Sequence, residues 1–340
     1  MVSEVEISEI HIKPEIHKGV DYFQEKFKEM KKEISRLVVG QDEIVDGMIE
    51  AFLSNGHVLV EGVPGIGKTL LVRTMAMITG CKFSRIQFTP DLLPTDIVGI
   101  TTYEEGRGFY TIKGPVFANF VLADEINRAP PKVQSALLES MQERQATIGK
   151  ETFFLPTPFF VMATQNPVEQ LGTYKLPEAQ VDRFLFKLLM VYPEFDEETE
   201  ILKKNISLNK FEDFSLTSVL TPEEIIEAQR FVKQIYLDPK LEKYIVRITD
   251  ATRHPEKYGV ESGKFTRFGG SPRSSISMFI ASKAHALLKG RAYVTAQDVK
   301  DVAPRVLRHR IILNFEGEAE EISPDEIIKE VLQKVPVVKG

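Results

Sequence analysis

This 340-residue chain contains no tryptophan and one cysteine, Cys81. A lone thiol excludes any disulfide within the chain and fits a reducing compartment. No stretch approaches the ~18 consecutive apolar residues of a spanning helix, so no membrane segment is expected. The first residues, MVSEVEISEI, carry acids where a secretory leader needs an unbroken apolar run. A cytoplasmic protein is therefore expected. Basic excess is lacking too: 43 Lys and Arg stand against 49 Asp and Glu, a formal net charge of −6. That balance argues against a protein that coats nucleic acid. The histidines, at positions 11, 17, 57, 254, 285 and 309, show no ligand spacing, which disfavours a zinc site. Cys81 has no paired histidine and reads as a small packing residue. Internal repeats and low-complexity tracts are absent.

What is present is a globular composition, 43% hydrophobic and 27% charged. Apolar residues at helical spacing predict helices over residues 15–37 and 42–53. Short apolar runs then predict strands at His57 to Val60, Phe83 to Phe88, Phe120 to Ala123, Phe159 to Ala163 and Phe184 to Val191. Helical stretches alternate with them, notably Pro131 to Gln145, so the expected fold is α/β with a mostly parallel sheet flanked by helices. Two segments interrupt the alternation. Thr101 to Pro115 reads as a hairpin around a glycine-rich turn, and Ala146 to Pro158 as a second hairpin turning at Gly149-Lys150. After Pro193 the strands are expected to stop, leaving helices at about 196–207, 222–236, 240–254, 273–289, 296–309 and 324–334. This predicts a core over residues 1–193 and a smaller all-α domain over 194–340.

The chemistry concentrates in a few stretches. GVPGIGKT, Gly62 to Thr69, fits the G-x-x-x-x-G-K-[ST] pattern, follows an apolar strand and opens a helix. Its glycines let successive backbone N–H groups turn toward phosphate oxygens, and the helix N-terminus adds a favourable dipole. The expected nucleotide contacts are Gly62, Val63, Pro64, Gly65, Ile66, Gly67, Lys68, Thr69 and Leu70. Lys68 would reach the terminal phosphates and Thr69 a Mg²⁺ ion. FVLADEINRAPP places Asp124 and Glu125 at the mouth of a buried strand, where paired carboxylates need compensation. A metal-nucleotide complex would supply it, with Asp124 holding Mg²⁺ and Glu125 polarising the attacking water. FFVMATQNP ends in Thr164, Gln165 and Asn166. Asn166 either contacts the attacking water or γ-phosphate, or begins an ordinary Asn-Pro turn. In GGSPRSS, Ser271 and Pro272 suit a helix start, and Arg273 then sits where the dipole disfavours a cation unless an anion faces it. The bland alternative is a solvated arginine. Arg183, in LPEAQVDRF, is either half of a surface salt bridge or an arginine finger for a neighbouring subunit. The basic run Arg305, Arg308, His309 and Arg310 ends a helix, where cations are favoured in any case.

These stretches carry a likeness. GVPGIGKT, GPVFANFVLADEINRAPPKVQSALLESMQE, TQNPVEQLGTYKLPEAQVDRF, GGSPRSS and the tail RIILNFEGEAEEISPDEIIKEVLQKVP resemble the MoxR family of AAA+ ATPases over almost the whole chain. The departures are local: Lys175 stands where proline is expected, and Ser274 where alanine is usual. The resemblance implies an AAA+ P-loop core with a helical lid, with Gly62 to Thr69 as Walker A and Asp124 and Glu125 as Walker B. It further implies Asn166 as sensor 1, Arg183 as arginine finger, Arg273 as sensor 2, and Val39 and Gly40 beside the adenine. The two hairpins would face the central pore of a ring.

The expected activity is Mg²⁺-dependent hydrolysis of ATP to ADP and phosphate. A ring-forming homo-oligomer, a hexamer, would use it to remodel, mature or activate a protein client. The resemblance also implies a partner with a von Willebrand factor A domain. A magnesium-chelatase-type motor subunit is one rival. A nucleic-acid motor is another, although YEEGRGFY and IGKETFF mix Arg107 and Lys150 with Glu104, Glu105 and Glu151 and lack a basic aromatic stripe. A nucleotide switch that barely turns over is the third.

Overall fold

The computed structural model describes residues 13–63, 65–166, 173–204 and 211–337. Pro64, residues 167–172 of the TQNPVEQL stretch and the reading of the first residues as lacking a leader lie outside the described residues.

Two helices open the chain, α1 (Pro14–Ser35) and α2 (Asp42–Leu53). Val20, Phe23, Phe27, Met30 and Ile34 fall on one face of α1 and are buried, which is why it packs at all despite a largely charged remainder. A P-loop unit follows: strand β1 (Val58–Gly62), then α3 (Lys68–Ile78) and β2 (Phe83–Gln87). The short α4 (Pro94–Val98) leads into the first hairpin, β3 (Gly99–Glu104) and β4 (Gly108–Lys113). Strand β5 (Phe120–Asp124) and helix α5 (Pro131–Glu143) precede the second hairpin, β6 (Gln145–Ile148) and β7 (Glu151–Phe154). Both hairpins are antiparallel and lie where the sequence predicts them. Strand β8 (Phe160–Gln165), the single-turn α6 (Glu178–Val181) and β9 (Phe186–Met190) complete the sheet region.

Five strands form one sheet in the order β2-β5-β8-β1-β9, and every pairing is parallel. Both faces are covered, so the strands read as unbroken apolar runs rather than as alternation. Val58 and Val60, Phe120 and Leu122, and Phe160 and Met162 join one apolar cluster with α1, α2 and α3. Leu59, Val121, Ala123, Val161 and Ala163 point the other way, onto Val133, Leu137 and Leu138 of α5.

Beyond the sheet the chain is helical: α7 (Phe195–Lys204), α8 (Pro222–Val232), α9 (Pro239–Arg253), α10 (Pro272–Leu288), α11 (Ala296–Leu307), α12 (Phe315–Ala319) and α13 (Pro324–Lys334). Reciprocal caps define two starts, Thr221 with Glu224 on α8 and Thr295 with Asp298 on α11. One expectation is corrected. Strands do not stop at Pro193, because β10 (Thr266–Phe268) pairs with β11 (Ile312–Leu313). These runs are two or three residues long, too short to show a period of two in sequence.

Helices α8 to α11 and α13 share the apolar cluster of α1 to α3, and charge reinforces the join. Glu50 of α2, fully buried, meets His285 Nδ1 at 2.6 Å and Arg305 Nη1 at 2.9 Å. Asp298 and Asp301 face the other imidazole nitrogen at 3.8 and 3.5 Å. No described helix is long and apolar enough to cross a membrane.

Two other histidines are locked as neutral rings. His57 lies 3.3 Å from the Met141 carbonyl through Nε2, while Nδ1 accepts from Val161 N–H at 3.0 Å. His309 Nε2 lies 3.1 Å from the Phe184 carbonyl. A carbonyl only accepts, so both rings carry the proton on Nε2. Burial pushes both well below the ordinary histidine range, helped by Arg144 and Arg310 respectively. The unfolded chain binds protons near pH 6.5 that the native chain refuses, so stability is complete above that pH and lost as pH falls below it. We expect up to about tenfold loss in the folding constant per pH unit and per histidine between pH 6.5 and 5.5. Urea midpoints measured across pH 7.5 to 5.5 test this; an unchanged midpoint would contradict the locked neutral rings.

Candidate functional site

In a parallel sheet, side chains at the carboxyl ends of the strands line the ligand crevice. Here Gly62, Asp124 and Gln165 stand at the carboxyl ends of β1, β5 and β8. The loop after Gly62 rises with Gly65 at φ 86° and Gly67 at φ 84°, left-handed values that side chains rarely adopt. A Cβ at either glycine would meet nothing within 4 Å, so the loop arches over open space. Gly62 differs. Its Cβ would stand 2.6 Å from the Met190 carbonyl, because β9 passes directly alongside.

Helix α3 starts at Lys68 with no side-chain cap and no acid in its first turn. Its first N–H groups therefore remain available to an anion, with the dipole in favour. Lys68 Nζ donates to the Gly62 carbonyl and thereby spans the loop. Burial lowers its pKa, and Asp124 and Glu125 pull it back up. Thr69 and Leu70 follow in the first turn, partly buried, and Val63 and Ile66 are partly buried in the loop. An open N-terminus, a glycine arch and a cation bent inward together fit a polyphosphate.

The acid pair is held by one hydroxyl. Thr164 Oγ1, at the end of β8, donates to Asp124 Oδ1 at 2.7 Å and accepts from the Glu125 N–H at 2.8 Å. Asp124 Oδ2 also takes Arg85 at 2.6 Å, and Glu125 Oε2 takes Arg128 at 3.0 Å and Gln87 at 2.9 Å. Glu125 itself is left-handed, φ 56° and ψ 50°, which costs a side-chain-bearing residue roughly 1–2 kcal/mol. Strain of that kind, fixed by three hydrogen bonds, turns the carboxylate off the strand axis. Sequence reasoning does not find Arg85, Gln87 or Arg128. Arg85 and Gln87 become visible once β2 pairs with β5, setting Gln87 opposite Asp124 with Arg85 two residues earlier, and Arg128 once the turn after β5 brings it back onto Glu125 three residues before it.

Asn166 follows β8 directly and is buried, beside the same crevice. No cluster of three or more His, Cys, Asp or Glu exists among the described residues. A hard cation between Thr69 and Asp124 would draw its other ligands from phosphate and water, as Mg²⁺ does. Val39 and Gly40 lie in the link between α1 and α2. Gln41 Nε2 donates to the Val191 carbonyl, just past β9, at 3.2 Å. Gly62 pairs with Met190, so this link borders the start of the phosphate loop. Gly40 is left-handed at φ 69°, and the Glu197 carboxylate fills the place of its Cβ.

Arg183 and Arg273 are elsewhere. They line a cavity of about 280 Å³ with Asn55, His57, Arg144 and Arg310. Asn55 and His57 precede β1, so this cavity opens at the amino-terminal edge of the sheet. The length of β1, about 16 Å at ~3.3 Å per residue, separates it from the phosphate loop. The acid beside Arg183 is not its partner. Asp182 accepts from Arg310 Nε at 2.7 Å and from Ser271 Oγ at 3.0 Å, and lies 3.5 Å from Arg273 Nη1. Arg183 is exposed, and among the described residues its guanidinium makes one hydrogen bond, at 3.4 Å, to the Leu138 carbonyl. Ser271 caps α10 as the sequence predicts. The anion in front of Arg273 is a carboxylate of the chain itself.

Comparison with known proteins agrees with this geometry. Residues 57–186 match the profile of the ATPase family associated with various cellular activities (AAA), and residues 262–331 match an AAA lid domain. The chain is 52% identical to Chaperone MoxR1 of Mycobacterium tuberculosis, over 89% of its own length and 80% of that protein. It is 30% identical to Protein MoxR of Methylorubrum extorquens, over 90% and 93% of the two chains. A crystal structure from Cytophaga hutchinsonii superposes with a TM-score of 0.88 at 44% identity, covering 95% of this chain and 98% of that one.

The glycines of the loop separate two physical demands. Ala at Gly62 forces a Cβ onto backbone of the neighbouring strand, whereas Ala at Gly65 meets open space and suffers only the left-handed penalty of about 1–2 kcal/mol. We expect Gly62→Ala to lower the unfolding free energy by at least ~1 kcal/mol more than Gly65→Ala. Denaturant titration of both variants decides it, and equal losses would mean β9 yields without cost.

Proposed function

The chain belongs to the MoxR family of AAA+ ATPases, and from that premise we propose that it works as a ring, a homohexamer, that remodels or activates a protein client. The observation that carries the reading is the division of the site between opposite edges of one sheet. The phosphate loop and acid pair occupy one edge. Arg183 and Arg273 occupy the other, farther from the loop than an arginine side chain reaches. They complete a site only when a second copy brings its phosphate edge against them, head to tail.

Hydrolysis of ATP then divides into tasks. Loop N–H groups from Gly65 to Leu70 and the Lys68 ammonium hold the β- and γ-phosphates. Val39 and Gly40 border the base. Magnesium, held by Thr69 and Asp124, would supply neutralisation of charge on the phosphate oxygens. Glu125 accepts the proton of the attacking water, and Arg128, Gln87 and Thr164 keep its carboxylate aimed. Asn166 orients the same water. Arg183 and Arg273 of the adjoining subunit stabilise charge developing on the γ-phosphate.

The hairpins support a polypeptide as the client. Ile100, Tyr103, Phe109 and Ile112 of the first are exposed, as is Phe154 of the second. Apolar side chains concentrated on a protruding element mark a protein contact. Arg107, the cation of the first tip, is engaged with Tyr110 and sits 3.8 Å from Glu104. That arrangement disfavours a nucleic-acid strand. The mycobacterial relative is named a chaperone, which points the same way, and a partner with a von Willebrand factor A domain belongs to the same proposal. The half-buried single thiol suits a cytoplasmic setting.

Two experiments test the proposal. Glu125→Gln should keep nucleotide affinity within about threefold while kcat falls roughly 10²–10⁴-fold, whereas Lys68→Ala should lose binding. Wild-type turnover by Glu125→Gln would remove it as the base. Arg183→Ala should bind ATP and turn over roughly 10³-fold slower or less. Mixing it with Lys68→Ala should restore phosphate release, because about a quarter of interfaces then pair an intact loop with an intact arginine. No recovery, with subunit exchange confirmed by fluorescence transfer, would confine Arg183 to its own subunit.

A further inference from the structure

A helix dipole accounts for cations at the end of α11 but not for where they point. Arg308 Nη1 donates to the Lys187 carbonyl at 3.1 Å, and His309 Nε2 to the Phe184 carbonyl at 3.1 Å. Arg310 goes further. Its Nη2 donates to the carbonyls of Phe184 at 2.8 Å and Asp182 at 3.1 Å, and to Ser277 Oγ at 3.3 Å. Its Nη1 reaches the Leu185 carbonyl at 3.3 Å and that of Val306, and Nε takes the Asp182 carboxylate at 2.7 Å. Three consecutive residues of the helical region thus grip the backbone from Asp182 to Lys187. The turn that bears Arg183 lies inside that grip.

Arg310 is 5% exposed, so every nitrogen must be satisfied within the protein, and each is. Among the described residues the one hydrogen bond of the Arg183 side chain is the long one to Leu138, so its position is inherited largely from the backbone beneath it. Asp182 extends the assembly to α10 through Ser271 Oγ, and Arg273 rests 3.5 Å from the same carboxylate. Arg310 is the closer and more buried partner of Asp182, at 2.7 Å. Arg273, about half exposed, is the looser second partner and can leave without stranding a buried charge.

We propose that Arg310, paired with Asp182, is a positioning residue for hydrolysis: it bolts the Arg183 turn and the start of α10 into one unit that moves with the helical region. The proposal rests on the reading of Arg183 as a finger for the neighbouring subunit. The orientation of a subunit's helical region then sets how well that subunit serves its neighbour's ATP, while its own phosphate loop is untouched.

The test uses mixed oligomers. The reference mixture is Arg183→Ala, which has a loop and no finger, with Lys68→Ala, which has a finger and no bound nucleotide. The trial mixture replaces the second with Lys68→Ala/Arg310→Lys. Lysine keeps the charge beside Asp182 but cannot span several carbonyls with one planar fork. Recovery should fall about 10- to 100-fold below the reference, the scale of a misplacement near 1 Å. Arg310→Lys alone should bind a fluorescent ATP analogue with Kd within about twofold of wild type, a split that a general folding defect would not give. Should the lysine variant fail to assemble, Asp182→Asn/Arg310→Met removes both charges together and takes its place. Equal recovery in the two mixtures would overturn the positioning role while leaving the finger intact. No recovery even in the reference mixture would overturn the finger reading and this proposal with it.

Discussion

All five strands of the sheet run the same way, and most of what matters follows from that polarity. A parallel strand delivers its carboxyl end to one edge and its amino end to the other, with no exceptions to blur the two. Gly62, Asp124, Glu125 and Asn166 fall at the first edge because each follows or ends a strand. Arg183 falls at the second because it precedes one. An antiparallel β9 would have carried Arg183 to the phosphate side and made a site complete within one chain. On the proposed reading of Arg183 as a finger, the polarity of one strand therefore decides whether the chemistry belongs to a single copy or to a pair.

The two edges also solve opposite charge problems. At the carboxyl edge two adjacent acids would repel by roughly 4 kcal/mol if 4 Å apart at an effective dielectric of 20. Arg85 and Arg128 each take one acid, and Thr164 links them through a single hydroxyl. Gln87 joins the two halves, accepting from Arg85 and donating to Glu125. At the amino edge four arginines line one cavity, but only Arg310 and Arg273 reach the Asp182 carboxylate, and the buried Arg310 takes most of it. The surplus there is positive and partly exposed. One edge holds cations against a standing negative charge, and the other keeps positive charge unspent.

Those differences explain how much was legible in the chain. The phosphate loop, the acids, the strands and both hairpins are local patterns, and each falls where the sequence predicts. Glycine at a left-handed position, an apolar run and a capping serine report on their own neighbourhood. Arg85 could not be found that way, because its relation to Asp124 is set by the register of two strands 39 residues apart. The run ending in Arg310 was legible as basic and illegible as a clamp. From Arg308 onward its distant targets are mainly backbone carbonyls 121 to 128 residues away, and a carbonyl leaves no mark in a sequence. Asp182 misled for a related reason: adjacency to Arg183 suggested a pair, yet its carboxylate is taken by residues from the far end of the chain. The β10–β11 pair escaped notice through brevity alone.

Why the helical region is joined to the core through buried charge is the remaining physical question. Stability does not require it, since well-packed apolar residues of similar volume replace buried ion pairs at little loss or with a gain. Glu50 with His285 and Arg305, and Asp182 with Arg310, are two such joins at separate places, alongside a continuous apolar cluster. An apolar contact tolerates sliding, because its energy follows buried area and changes little over small displacements. A guanidinium bonded to four carbonyls and a carboxylate tolerates far less, because hydrogen bonds weaken steeply with angle and length. The apolar cluster can therefore keep the two parts together while the ionic joins choose their arrangement. A molecule that had only to stay folded would gain nothing from that choice. One that must present Arg183 to a neighbouring copy needs it, and the Asp182 join lies next to that arginine.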